Sequence, residues 1–399
     1  PLQHSYTCSQ CGARNFETDP LISGIRMVPQ DEAARRLLER QLKFPVSEWE
    51  IKLKLDRRQR VLKDPVPGET DWFQELTDEE LREAFSHKPL CDIVLTSKWL
   101  SKLTAREMRR LKSVLAIHNR AFARSSVATR THKLELDIRC KNDNPVESRL
   151  WRKDPISQQE IYRQTKKMRK HHIIENSNSQ WAANVVLADK KDGTKRFAVD
   201  YRKVSKQILY APYPIPNIQT ALDALGGCKY FSMLDFLSAY FQLPLNKRSM
   251  KYTAFRTQDG LYHFTCMPFG LNLAPHEWAK AVDMCIGSLR HECAQTYFDD
   301  ILCHSKTFED HLQHLHKVFV RVEEYGFVLK PSKCEFCRDQ FTYLGHLVSK
   351  DGVTADPTKV KAVAAILASD IDTVKKLDAF LGLTGYLRRY VDNYQKLAK

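Results

Sequence analysis

Apolar residues recur at helical spacing in several stretches of the chain. Asp31 to Leu42 places Ala34, Leu37, Leu38 and Leu42 on one side and predicts a short amphipathic helix. Thr77-x-x-Glu80 and Thr104-x-x-Glu107 fit capping boxes, and the second precedes Met108, Leu111, Val114 and Leu115 at helical spacing. Pro155 to His172 reads as a helix charged on most faces, and further helices are expected at 216–225, 275–290 and 307–325. A hairpin is expected where the β-rich run Asn184–Ala188 meets the Asp-Gly turn Lys191–Thr194 and returns through Arg196–Val199. Other strands are expected at 229–235, 262–266, 294–298, 300–304 and 341–348. Between them, Ala211 to Pro216 is punctuated by proline and must be extended. Strands and helices alternate irregularly and no glycine-rich nucleotide turn appears, which argues for an α+β fold over a doubly wound parallel sheet.

The 399 residues suffice for two to four domains, and 43% hydrophobic residues is an ordinary globular balance. No apolar run approaches the ~20 residues needed to span a bilayer. The start lacks the charged and apolar regions of a signal peptide, and opening on Pro1 reads as a piece of something longer. A net charge of +15 suits a polyanionic partner, nucleic acid before membrane. The excess is concentrated: residues 101–133 carry nine Lys/Arg against one acid, and residues 149–170 carry eight against two. A solvated helix face explains such runs, but a face tracking phosphates fits the remaining signals better. Trp151 and Trp181 lie near basic stretches, where base stacking and core packing are both open. The eleven cysteines, odd in number, look like reduced thiols. Cys8-x-x-Cys11 is half of a zinc pattern with no second pair nearby; the other such pair, Cys334 and Cys337, is distant in sequence.

Chemistry is concentrated at Tyr297-Phe298-Asp299-Asp300, where two adjacent acids interrupt an apolar strand pattern. Two neighbouring carboxylates are costly to bury unless a cation offsets them. A tight hairpin presenting both acids to a divalent metal answers that cost, and oxygen ligands suit Mg2+. Alone, such a pair is more often an exposed turn. However, Phe231 to Asp235 is a second strand ending in a single acid. Three converging carboxylates can hold two metals about 4 Å apart, the arrangement used for in-line phosphoryl transfer. His311 and His314 share a helix face as a candidate metal pair, against the plainer reading of a polar helix.

From about Leu103 onward the chain resembles the reverse transcriptase of gypsy-type LTR retrotransposons. The blocks that carry the resemblance stand in order: Val185–Arg202, Tyr213–Pro216, Lys229–Leu245, Thr253–Arg256, Met267–Gly270 with Ala274-Pro275, Tyr297–Leu302, Leu329–Phe336, Tyr343–His346 and Phe380–Leu383. The resemblance implies a right-hand polymerase with fingers, palm and a partial thumb, behind a mixed N-terminal spacer. It implies that Asp235, Asp299 and Asp300 are the catalytic, metal-binding carboxylates, Asp300 the least direct ligand, with the Phe236 backbone beside them. Lys191 and Arg196 fall where the family contacts the triphosphate, and Tyr240 where a bulky ring excludes the ribose 2′-hydroxyl. Phe269 and Gly270 belong to the loop that lies against nucleotide and template. Lys333, with Lys330 as a rival, falls where a general acid meets pyrophosphate, and Leu344, Gly345 and His346 match the primer grip. Leu271-Asn272-Leu273 and Trp278, in place of a commoner Phe, depart from the family pattern without removing a chemical group.

The implied organisation is a spacer at 1–100, a helical lead-in at 101–139, fingers at 140–215 and 243–273, palm at 216–242 and 274–350, and a partial thumb at 351–399. The implied activity is RNA-directed DNA polymerisation from dNTPs onto a primer 3′-hydroxyl, with Mg2+ or Mn2+, on RNA or DNA templates. The expected parent is a polyprotein with protease, RNase H and integrase regions, working inside the cell in a cytoplasmic particle or the nucleus. A shortened thumb implies weak grip on primer–template. The competing readings are a non-catalytic nucleic-acid-binding subunit, disfavoured by the intact acids, and an RNA-dependent RNA polymerase, disfavoured by Tyr240.

Overall fold

The computed structural model describes residues 5–7, 14–16, 24–42, 73, 75–95, 102–189, 193, 195–214, 218–297, 299–366 and 370–398. At its centre is a four-stranded antiparallel sheet of β1 (Tyr230–Asp235), β2 (Ala294–Tyr297), β3 (Asp300–Ser305) and β4 (Glu335–Arg338), in the order β2-β3-β1-β4. Helices α2 (Ala274–Ile286) and α3 (Phe308–Tyr325) cover it, and α1 (Ala105–Ile117) packs on α3. α3 starts where Thr307 accepts a hydrogen bond from the Asp310 amide and stops at Gly326, whose φ of 73° no β-carbon favours. Its buried stripe of Leu312, Leu315, Phe319 and Val322 faces the sheet, and each such side chain stabilises the fold by about 1.5–3 kcal/mol. The Thr77 and Thr104 capping boxes both form, with Glu80 and Glu107 reaching back to the cap amides.

A five-stranded mixed sheet flanks the centre, in the order Ile174–Asn176, Gly260–Phe264, Phe255–Thr257, Ala183–Asp189, Lys195–Val199. The hairpin read from the sequence is its edge, with Ala188 opposite Arg196. On the other side Gln340–Tyr343, His346–Ser349 and Gly352–Ala355 form an antiparallel meander, followed by helices Pro357–Ala364 and Val374–Tyr386.

Two expected elements are divided. The strand at 341–348 turns at Leu344 and Gly345, both at positive φ, and becomes two paired strands. The helix at 275–290 breaks at Gly287, with Leu289–Glu292 as a separate turn. The early residues are tied into the same body: Gly24–Met27 pairs with Leu134–Asp137, and Ile25, Phe73 and Leu81 share one core with Leu234 and Trp278. Trp181 is buried edge-on against Tyr252, a core residue and no stacking platform. Trp151 stays partly exposed, with the Lys153 ammonium over its ring.

Candidate active site

The tip of the β2–β3 hairpin and the end of β1 build the site. β3 lies between its neighbours, so Asp300 is in register with Tyr297 on one side and with Asp235 on the other. Residues directly opposite in an antiparallel pair project to the same face, which brings these two acids together. Asp299 occupies the tip, and its carbonyl accepts the Phe236 amide at 3.3 Å. Phe298 lies outside the described residues. The three sequence-predicted acids and the Phe236 backbone therefore meet.

The electrostatics of the cluster are those of crowded like charges. Burial, then Asp235, pushes the Asp299 carboxyl above its ordinary range, while Lys333 pulls it back. Asp300 is pushed up to about 6 by burial, then by Asp235 and Asp299. Asp299 Oδ1 is buried without a hydrogen-bond partner. Lys333 Nζ lies 2.8 Å from Asp235 Oδ2, and this bond raises the lysine pKa. Lys333 is set there by the turn Pro331–Lys333, after Lys330 donates its amide to the Asp235 carbonyl at 2.8 Å. Lys333 thus reaches the acids with its side chain, while Lys330 reaches them through its backbone.

An all-oxygen donor set with an orphaned buried oxygen and an uncompensated charge fits a hard divalent cation. In this conformation the acids do not close into a three-ligand cage: among the described residues no trio of His, Cys, Asp or Glu is so grouped. His311 and His314 are not a metal pair. His311 bonds the Ser232 and Ser305 hydroxyls at 2.7 and 2.9 Å, and burial holds its pKa down at about 3. His314 Nδ1 bonds the same Ser305 hydroxyl at 2.7 Å.

Beside the acids, Tyr240 sits in the turn Ala239–Gln242 with its ring 5.1 Å from that of Phe269. Burial, then Asp299, pushes its phenol up to about 12, so it is neutral at ordinary pH. Trp278 is fully buried between Phe236, Tyr240 and Phe327, a lining that fills the place of the commoner Phe. Gly270 has φ +100°, and a Cβ there would stand 2.7 Å from the Val199 carbonyl oxygen. Its close approach is therefore to the edge hairpin of the flanking sheet. Arg196 lies exposed on that hairpin, and Lys191 falls outside the described residues.

Leu344, Gly345 and His346 form the turn of the meander, away from solvent on one side. His346 is buried, its Nδ1 2.8 Å from the Tyr390 hydroxyl and its ring stacked on Tyr386 at 5.0 Å. The Tyr386 hydroxyl donates to the Leu344 carbonyl. The tyrosines at 386 and 390, and the buried amide of Gln242, were not marked by sequence reasoning. The signal for Gln242 was a polar residue inside the apolar run Tyr240 to Leu243.

Residues 188–348, which contain the three acids, Tyr240, Gly270, Lys333 and the Leu344–His346 turn, match the family described as reverse transcriptase (RNA-dependent DNA polymerase). Over these residues the chain is a member of the reverse transcriptase family. Among curated relatives of the reverse transcriptase region, the retrovirus-related Pol polyprotein from transposon 297 of Drosophila melanogaster is 30% identical over 306 residues, 75% of this chain and 29% of that protein. The Pol polyprotein from transposon 412 of the same fly is 32% identical over 264 residues, 64% of this chain and 21% of that protein. The chain thus spans under a third of the curated relatives' length. In fold, it resembles the foamy viral protease-reverse transcriptase solved with double-stranded DNA, at a TM-score of 0.66 and 20% identity over 84% of this chain and 56% of that one. The foamy viral enzyme solved with an RNA/DNA hybrid matches at 0.62, with 20% identity over 82% of this chain and 42% of the other.

Proposed function

We propose that the chain is the polymerase portion of a gypsy-type retrotransposon Pol polyprotein, extending a primer 3′-hydroxyl with dNTPs on RNA and DNA templates. The observation that carries this is the meeting of Asp235, Asp299 and Asp300 on one edge, with an unpaired buried oxygen on Asp299. Asp235 and Asp299 would hold divalent cations, Mg2+ or Mn2+, with Asp300 opposite Asp235 adding negative charge. Such cations supply the charge that favours an ionised primer hydroxyl and offsets the leaving pyrophosphate.

The chain's own groups do the rest. The Lys333 ammonium, held beside Asp235, would donate a proton to the leaving pyrophosphate. Tyr240, backed by Phe269 and Trp278, is a wall beneath the sugar that a 2′-hydroxyl would strike. Arg196, exposed on the edge hairpin, would meet the triphosphate, as would Lys191. Gly270 lets its loop close against that hairpin. Leu344, Gly345 and His346 would support the primer strand through their turn, and RNase H and integrase regions would belong to the parent protein. We also infer an intracellular setting, in a cytoplasmic particle or the nucleus.

Primer extension on RNA and DNA templates with Mg2+, Mn2+ or chelator tests the reading. Metal-dependent dNTP incorporation on both templates is expected. Nucleic-acid binding without extension would instead establish a non-catalytic subunit, and equal use of NTPs an RNA polymerase.

A further inference from the structure

The turn that carries Tyr240 and the segment that carries Lys333 come from different parts of the chain, yet one side chain joins them. Gln242 is fully buried at the end of the turn Ala239–Gln242. Its Nε2 donates to the Leu237 and Val328 carbonyls, both at 2.9 Å. Its Oε1 accepts the Val328 amide at 2.8 Å. Its own carbonyl accepts the Thr131 amide at 2.8 Å, so the residue is fixed at both ends. A carboxamide is the side chain that offers two donors and an acceptor in one plane.

What lies on each side of this amide gives it significance. On one side, Ser238 adopts a left-handed conformation at φ 47°, and two residues later Tyr240 packs on Phe269 and Trp278. On the other, Val328 leads into Leu329 and Lys330, which bridge to Phe236 and Asp235, and then to Lys333 at the Asp235 carboxylate. Backbone bonds flank the left-handed step at Ser238, from the Leu237 amide to the Val328 carbonyl at 3.1 Å and from the Phe241 amide to the Ser238 carbonyl at 2.9 Å, and the Gln242 amide closes the loop between them.

We propose that Gln242 is a positioning residue for nucleotide selection: its amide sets the Tyr240 ring relative to the acid cluster by locking the Leu237–Gln242 turn to Val328. The inference rests on the polymerase reading above. Replacing the amide with an apolar side chain of similar length leaves the Leu237 carbonyl and the Val328 amide without the Gln242 partner, while the Val328 carbonyl keeps the Leu237 amide, and the turn must shift to recover the lost bonds. Because Tyr240 rides on that turn, the shift reaches the sugar wall before it reaches the acids, which stay paired through β1 and β3.

The test compares single-nucleotide extension with a dNTP and the matching rNTP in the full chain, for the wild type, Gln242→Met, Tyr240→Ala and the double variant. Gln242→Met should lower the ratio of kcat/KM for dNTP over rNTP at least tenfold. The double variant should be little worse than Tyr240→Ala alone, because both changes act through one ring. An unchanged ratio in Gln242→Met, with both nucleotides slowed alike, overturns the proposal and leaves the polymerase reading intact. A wild type that extends no primer overturns the polymerase reading and this inference with it. Circular dichroism melting checks that the variant is folded. Should Gln242→Met not fold, Gln242→Glu keeps an acceptor for the Val328 amide and loses the donated bonds, and must show the same fall in ratio. Unfolding of both variants overturns the proposal, since the amide would then be holding the domain together.

Discussion

Asp300 faces Asp235 across the central antiparallel pair, one residue after Asp299 leaves the hairpin tip. Strand pairing therefore holds two carboxylates together that electrostatics would keep apart, and burial first, then the neighbouring acids, raises the pKa values of Asp299 and Asp300.

Removing charge at the tip should separate activity from stability. Asp299→Asn should lower single-turnover primer extension by about a thousandfold or more, since a metal ligand and its charge are lost. The same change relieves repulsion with Asp235, so the metal-free variant should melt at a higher temperature than the wild type. A parental extension rate would show that the site is wrongly assigned.

The pH dependence follows from Asp300, whose native pKa of about 6 exceeds its ordinary value of 3.8. Between those values the native state holds more protons than the unfolded chain, so this group makes stability fall as pH rises through the window. Urea midpoints of wild type minus Asp300→Asn, measured without metal from pH 4 to 7, should decline and then level off above about 6. Divalent cation should raise the wild-type midpoint most at the upper end.

Lys333 lowers the pKa of both Asp299 and Asp300. Lys333→Met should shift the acid limb of the pH–rate profile upward and slow extension by about a hundredfold. Lys333→Arg should leave the limb in place while recovering only part of the rate. A limb that stays put in the methionine variant would count against a direct role.

Gly270→Ala should destabilise the fold by roughly 1–3 kcal/mol, because φ +100° disfavours a side chain and the new Cβ meets the Val199 carbonyl at 2.7 Å. Chemical denaturation reads the loss directly. A variant as stable as the wild type would mean that the loop and hairpin separate easily.

The hairpin, the capped helices and the acid positions were legible because each depends on local rules: alternation, capping boxes, and acids where an apolar strand should continue. Long-range pairing was not. Nothing local to Gly24–Met27 announces its partner at Leu134–Asp137, and the amide of Gln242 acquires meaning only once Val328 arrives beside it. The expected strand at 341–348 was apolar enough to look continuous, and the turn at Leu344 depends on one glycine and one strained leucine. His346 matched a grip for the primer, yet its ring is turned inward by tyrosines some forty positions later.

Tyr386, the last residue of the helix Val374–Tyr386, rivets it to the meander at both the Leu344 carbonyl and the His346 ring. Rocking of that helix would therefore pull on the Gly345 bend through both contacts, more as a crank than as a free hinge.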